Sequence, residues 1–197
     1  MNIYSTKQIG EDAFLIEEKI SNNLVCIMAL IVGGEKAAII DTGFGISGGL
    51  RKMVEEITNK PISCYITHGD PDHVGCAAAF DSVYMSNEDE KLMRESLNYQ
   101  RRIRNIIFFS GMNIKLVQTA KKHRVREEWF ELKPIKDGDV VNLGGIRLDV
   151  IALPGHSKGS LCYFNRKGGY AITGDSIGVK SSPLMTSGNA ASVTVYR

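Results

Sequence analysis

The chain has 197 residues, with 24 Lys and Arg against 22 Asp and Glu, four His and four Cys. That length suits one domain, at ~100–200 residues each, and 43% hydrophobic with 23% charged residues is ordinary for a globular protein. The longest unbroken apolar run, Leu24 to Val32, has nine residues, whereas a membrane span needs about 20. Disorder, collagen, coiled coil and membrane spanning are excluded. No basic stretch leads into an apolar one at the amino terminus, so the cytoplasm is the expected compartment. Cys26, Cys64, Cys76 and Cys162 share no CxxC spacing, and three of them (Cys26, Cys64 and Cys162) lie in apolar runs. They read as buried free thiols rather than zinc ligands.

In chain order, Ile3–Ile9, Ala13–Glu17 and Leu24–Val32 are β-rich runs separated by turn compositions. Ala37–Ile40 is a further strand ending at Asp41. Leu50, Met53, Val54 and Ile57 fall at helical spacing, with Ser47 as the expected N-cap. Ile62–Ile66 delivers the chain into Thr67-His68-Gly69-Asp70-Pro71-Asp72-His73, followed by a helical run over Val74–Phe80. Ser86 with Asp89 three residues on is a capping-box variant opening a helical stretch. From there to Leu132 the one hint of a strand is the apolar patch Ile106–Phe109. Val140–Leu143 and Ile146–Ile151 bracket Gly144-Gly145 as a hairpin, and Ser160–Phe164 and Tyr170–Thr173 flank a turn. Strand pairs at both ends with helices between predict two β-rich halves with helices packed outside.

The charge is unevenly spread. Lys91 to Arg126 holds ten Lys and Arg and one acid, Glu95, a net +9 in 36 residues, which leaves −7 for the rest. A solvated basic face is the plain explanation, and a funnel for an anionic substrate is the functional one. The case for nucleic acid or membrane contact is weaker.

Two other motifs fit their letters and fail on context. Gly43-Phe-Gly45-Ile-Ser-Gly48 matches a dinucleotide fingerprint, but Asp41 precedes it and the next strand ends in Thr67-His68 instead of an acid for a ribose. Asp70 to Asp81 partly matches a calcium loop, but Val74 occupies a ligand position and a strand precedes it.

His68, Asp70, Asp72 and His73 put two imidazoles and two carboxylates at one strand end. Alternate residues of an extended segment point the same way, so His68, Asp70 and Asp72 can converge. Nitrogen with carboxylate donors suits zinc, iron or manganese; a polar solvated loop is the plainer alternative. His156, in Pro154-Gly155-His156-Ser157, and Asp175, in Thr173-Gly174-Asp175, also follow strands, as does Asp41. Four strand ends bearing His or Asp are the layout of a metal site at one rim of a sheet.

These motifs resemble the metallo-β-lactamase fold superfamily: HxHxDH as His68-Gly-Asp70-Pro-Asp72-His73, PGHxxGS as Pro154-Gly155-His156-Ser-Lys-Gly159-Ser160, and Gly174-Asp175, with Asp41-Thr42-Gly43 upstream. The resemblance implies an α/β, four-layer αββα sandwich as a single domain over residues 1–197, with a basic helical lid at about 86–133. It implies two divalent ions, zinc first. One would be held by His68, Asp70 and His156, the other by Asp72 and His73, with Asp175 bridging and Asp41 behind the site. Such ions lower the pKa of a bridging water toward ~7. The implied activity is a metal-dependent hydrolase, with hydroxide oriented by Asp72 attacking an ester, thioester, lactone, amide or phosphodiester. The substrate would be a small molecule, anionic if the basic segment acts as a funnel.

The sequence departs from the pattern twice. Asp70 replaces a usual His; a harder ligand keeps iron or manganese open and makes a di-iron redox protein of the flavodiiron type the competing class. No histidine follows His156, where the family supplies one more ligand. A shortened carboxyl terminus, a natural short form or a ligand borrowed from His123 or another chain each answer this. A homo-oligomer, or a non-enzymatic protein with a decayed site, follows as an expectation from an incomplete domain.

Overall fold

In a computed structural model, residues 3–22, 24–122 and 130–177 are described. The strands are β1 (Tyr4–Gln8), β2 (Ala13–Lys19), β3 (Val25–Val32), β4 (Ala37–Ile40), β5 (Ile62–Tyr65), β6 (Val83–Met85), β7 (Leu132–Pro134), β8 (Val140–Asn142), β9 (Arg147–Ala152), β10 (Leu161–Asn165) and β11 (Tyr170–Ile172). The helices are α1 (Leu50–Ile57), α2 (Pro71–Val74), α3 (Glu90–Leu97), α4 (Tyr99–Phe109) and α5 (Ile114–Lys122).

Strands β1 to β7 form one sheet in sequence order, and β8 to β11 form a second. The first sheet begins as an antiparallel meander, because short turns join β1 through β4. It then turns parallel from β4 to β7, where helices make each crossover. The second sheet is antiparallel throughout.

Alternation along each strand builds two cores. Ile16, Met28, Leu30, Ile39, Cys64 and Val83 face the helices and pack with Leu50, Val54, Met93, Ile103 and Ile106. Their neighbours Ala29, Ile31, Ala38, Ile40 and Tyr65 face the second sheet and meet Leu148, Val150, Leu161 and Tyr163. Helices, large sheet and small sheet are three of the four expected layers; the outer helical layer on the small sheet does not occur among the described residues. All four cysteines are buried and free. No helix among the described residues is long and apolar enough to cross a membrane.

Local details differ from the expectations at five places, the first being the Val74–Phe80 run, where α2 ends at Val74 and a short 3-10 turn covers Ala77–Ala79. β6 has only three residues, too few to show a period, and its pairing with β5 and β7 makes it a strand. The Ile106–Phe109 patch is the last turn of α4, with Ile106 buried. Ser47 does not cap α1: Gly49 stands at the N-cap, and Ser47 Oγ accepts from the Gly49 N–H at 3.4 Å. Ser86 does cap the turn over Asn87–Asp89, accepting from the Glu88 N–H at 3.3 Å. The Asp89 carboxylate, however, is engaged elsewhere.

Candidate metal centre

Parallel strands β4 and β5 end at the same rim, the edge at which ligands bind in open α/β sheets. Asp41 follows β4 with φ +62°, a left-handed conformation for a residue with a side chain. Such a conformation costs of order 1–3 kcal/mol and persists where the surroundings fix it. Here Asp41 Oδ1 accepts from the Thr67 N–H at 2.8 Å, and Oδ2 accepts from Thr67 Oγ1 and from His73 Nδ1, both at 2.8 Å. Thr42 holds the carbonyl of His73 through its N–H (2.7 Å) and its Oγ1 (2.9 Å). Pro71 occupies the first position of α2, where its missing N–H costs nothing. Asp70, at the N-cap, makes no capping bond with its side chain. It points instead at His156, whose Nε2 lies 2.9 Å from Asp70 Oδ2.

Hydrogen bonds with the surrounding residues orient the imidazoles. His73 gives its Nδ1 hydrogen to Asp41, which turns Nε2 toward Asp175 Oδ1 (3.6 Å) and Asp72 Oδ2 (3.7 Å). Thr67 Oγ1 spends its hydrogen on Asp41, so it accepts from His68 Nδ1 at 3.0 Å. His68 Nε2 then carries a lone pair, and this buried atom makes no hydrogen bond. It lies at the meeting point of two donor groups, each with atoms within 4.8 Å of one another: His68, Asp70 and His156, and His68, His73 and Asp175. Each group could hold a metal ion. Asp72, its side chain 31% exposed, stands beside the second group without joining it.

The rim is strongly polarised. Burial works against ionisation of Asp70, but the hydrogen bond from His156 and the nearby His68 ring hold its carboxyl below the usual range. Burial likewise opposes ionisation of Asp175, and the adjacent His73 ring brings it down to about 2. For His73 burial favours the neutral ring, yet the charges of Asp41 and Asp72, the nearby Asp175 carboxylate and the hydrogen bond to Asp41 drive its pKa well above the ordinary value.

All seven residues expected from the sequence (Asp41, His68, Asp70, Asp72, His73, His156 and Asp175) come to this rim. His123 lies outside the described residues. Sequence reasoning missed the supports. Asp89, buried, accepts from the Gly69 N–H, Ser157 Oγ and the Gly159 N–H. Glu18, fully buried on β2, accepts from the N–H groups of Phe44 (2.6 Å), Gly45 (3.2 Å) and Ile46 (2.7 Å) and from Tyr4 OH (3.2 Å). The glycine loop that resembles an anion cradle is thus filled from within the protein. Arg102 of α4 grips the same loop through the carbonyls of Phe44 (3.0 Å) and Gly45. Gly174 is needed because a Cβ there would come 2.4 Å from Thr67 Oγ1. The one signal for Glu18 was an acid at an inward position of an alternating strand. A cavity of about 680 Å³ opens elsewhere, between the turns around Gly10, Ile146 and Gly168, at the opposite ends of the strands.

Residues 24–88 match the sequence family described as the metallo-beta-lactamase superfamily. Over 189 residues the chain is 29% identical to the acyl-coenzyme A thioesterase MBLAC2 of Homo sapiens, an alignment covering 87% of this chain and 66% of that protein. Over 153 residues it is 31% identical to the hydroxyacylglutathione hydrolase GloC of Haemophilus influenzae, covering 75% of this chain and 64% of that one. A metallo-beta-lactamase family protein of Thermus thermophilus has the same fold, with a TM-score of 0.66 over 96% of this chain and 67% of that chain at 19% identity. The chain spans about two thirds of the length of the curated relatives it matches.

Proposed function

We propose that the chain, a member of the metallo-β-lactamase superfamily, is a metal-dependent hydrolase with two ions, the first held by His68, Asp70 and His156, the second by Asp72 and His73, with Asp175 shared between them. The observation that carries this is the buried His68 Nε2, oriented as an acceptor and left without a hydrogen bond where both donor groups meet. A buried polar atom without a partner costs ~1–3 kcal/mol, and a cation would satisfy it. Asp41, Asp70, Asp72 and Asp175 add four carboxylates at one rim, a concentration of negative charge that calls for a counter-ion. Zinc comes first for its nitrogen and oxygen donors; Asp70, a hard ligand, keeps iron or manganese in the reading.

Divalent ions there supply Lewis-acid polarisation of a substrate oxygen and lower the pKa of water toward ~7. The protein's residues do the rest. Asp41 fixes the His73 ring, Thr67 fixes His68, and Asp72 is placed to orient the attacking water and take its proton. Asp175 reaches toward both arms, with Oδ1 3.6 Å from His73 Nε2 and Oδ2 3.9 Å from His156 Nε2.

Among ester, thioester, lactone, amide and phosphodiester substrates, we place thioesters first. The names of the human and Haemophilus relatives specify acyl-coenzyme A and hydroxyacylglutathione, each an acyl group on a thiol carrier. Both carriers are anionic, which suits the basic segment, and helices α3–α5 would act as its lid. Four buried, unpaired thiols fit the reducing cytoplasm. Pairing of copies along an edge strand would give a homo-oligomer.

The test is thiol release from an acyl-coenzyme A by the chain reconstituted with zinc, iron or manganese, with bound metal counted. Activity should vanish on chelation, return with metal, and fall ~10³-fold or more in His156→Ala. A chain that retains no metal, or activity that survives chelation, overturns the reading. An iron-dependent visible spectrum with redox turnover and no thiol release would transfer the site to the di-iron class.

A further inference from the structure

Asp89 sits at the entry to α3, 2% exposed, and its two oxygens serve three donors. Oδ2 accepts from the Gly69 N–H at 3.0 Å and from Ser157 Oγ at 2.6 Å, and Oδ1 accepts from the Gly159 N–H at 2.8 Å. Gly69 lies between His68 and Asp70, and Ser157 directly follows His156. One carboxylate therefore touches, a single residue away from the candidate ligands, both arms of the first donor group.

Those arms come from different sheets, the first following β5 and the second following β9. The approach is close: a Cβ on Gly159 would lie 2.8 Å from Asp89 Cγ. Ser157 and Ser160 complete the turn, with oxygens 2.7 Å apart and the Ser157 N–H donating to Ser160 Oγ at 3.1 Å. Because Ser157 gives its one hydroxyl hydrogen to Asp89, Ser160 Oγ must donate to Ser157.

We propose that Asp89 is a positioning residue that sets the separation of the His68–Asp70 arm from the His156 arm, and through it the metal affinity of that donor set. The proposal rests on the metal-hydrolase reading above. The carboxylate is suited to the task because all three partners are donors. In Asp89→Asn the amide NH2 must face the N–H of either Gly69 or Gly159, so the grip on one arm is weakened. Outer-sphere partners of metal ligands change affinity by roughly 10–100-fold.

The experiment uses the full chain stripped of metal and titrated with zinc against a chromophoric chelator, and with cobalt(II) as a spectroscopic probe of ligand geometry. Circular dichroism and thermal melting of the metal-free proteins run alongside. Asp89→Asn should bind zinc roughly 10–100-fold more weakly and show a changed cobalt band shape, and Ser157→Ala should fall between it and the parent. Asp81→Asn, which removes a charge from a side chain 85% exposed, should match the parent. A purely structural Asp89 would lower the melting temperature and leave affinity and cobalt spectrum unchanged, and that result overturns the proposal. If Asp89→Asn does not fold, Ser157→Ala with parental affinity and spectrum overturns it equally. A parent chain that binds neither metal removes the underlying reading and this inference with it; a parent that binds while both variants match it removes this inference alone.

Discussion

Glu18 interrupts the apolar alternation of β2 with a fully buried acid, and its four donors explain how the fold accommodates it. Glu18→Ala would leave the N–H groups of Phe44, Gly45 and Ile46 without their acceptor. A buried donor left without its acceptor costs about 1–3 kcal/mol. Urea unfolding should show a loss of that order, and one below about 1 kcal/mol would mean that the loop finds other partners. His73 supports a second prediction. Burial favours its neutral form, but Asp41 and Asp72 raise its pKa well above the ordinary value, so at neutral pH the metal-free ring is protonated. A raised pKa gives a stability contribution that is full below the unfolded value of about 6.5 and is lost as pH rises through the folded value. Metal must displace that proton from Nε2, so zinc uptake should release about one proton from His73 at pH 7 and strengthen as pH rises. Calorimetry of zinc binding in buffers of different ionisation enthalpy measures this. Unchanged proton release in His73→Asn would show that the proton comes from elsewhere.

At the scale of elements, α4 acts as a brace for the loop that carries Asp41. Glu18 takes the amides of Phe44 and Gly45 from one side, and Arg102 takes their carbonyls from the other. Arg102→Met keeps much of the apolar stem and removes the guanidinium. Hydrogen bonds to charged groups contribute ~1.5–3 kcal/mol each, so the variant, losing two, should lose about 3–6 kcal/mol by urea unfolding. A fully stable Arg102→Met would show that α4 can leave without disturbing the loop. These braces mark the boundary of what the sequence discloses. The strands were readable because β-rich runs stand between turn residues, and the rim residues because His and Asp recur at fixed spacing after strands. β6 was not, since three residues carry no period. Asp89, Glu18 and Arg102 were not, because they act chiefly on backbone groups distant in the chain, 58 residues for Arg102 and Phe44 and 70 for Asp89 and Gly159. A backbone N–H or C=O leaves no residue-type signature. Asp89 read as a capping-box member because its local spacing suited one; tertiary donors of better geometry claimed it.

Over the whole molecule, a net charge of +2 hides a segment of +9 on a body of −7. The structure divides that segment by role. Arg102 is buried bracing, Arg94 and Arg101 pair with Glu90 and Glu95 at 2.6 and 2.8 Å, and Lys91, Arg104, Lys115, Lys121 and Lys122 stand exposed on α3 to α5. Arg124 and Arg126 lie outside the described residues. Exposed pairs contribute little to stability, about 0–1 kcal/mol, so the five exposed cations matter through their field. The Debye length shrinks from ~30 Å at 0.01 M salt to ~8 Å at 0.15 M. Across that range the field of α3–α5 should cease to reach an approaching substrate. If it steers anionic thioesters, kcat/KM for an acyl-coenzyme A should fall by about tenfold or more, the lower end of measured steering effects. A neutral thioester of the same acyl group should change little, because it feels no net pull. Replacing Lys115, Lys121 and Lys122 together by Gln should lower the low-salt value and flatten the salt curve, with kcat at saturation unchanged. Equal salt dependence for the charged and neutral substrates would assign the basic segment to solvation of the helices alone.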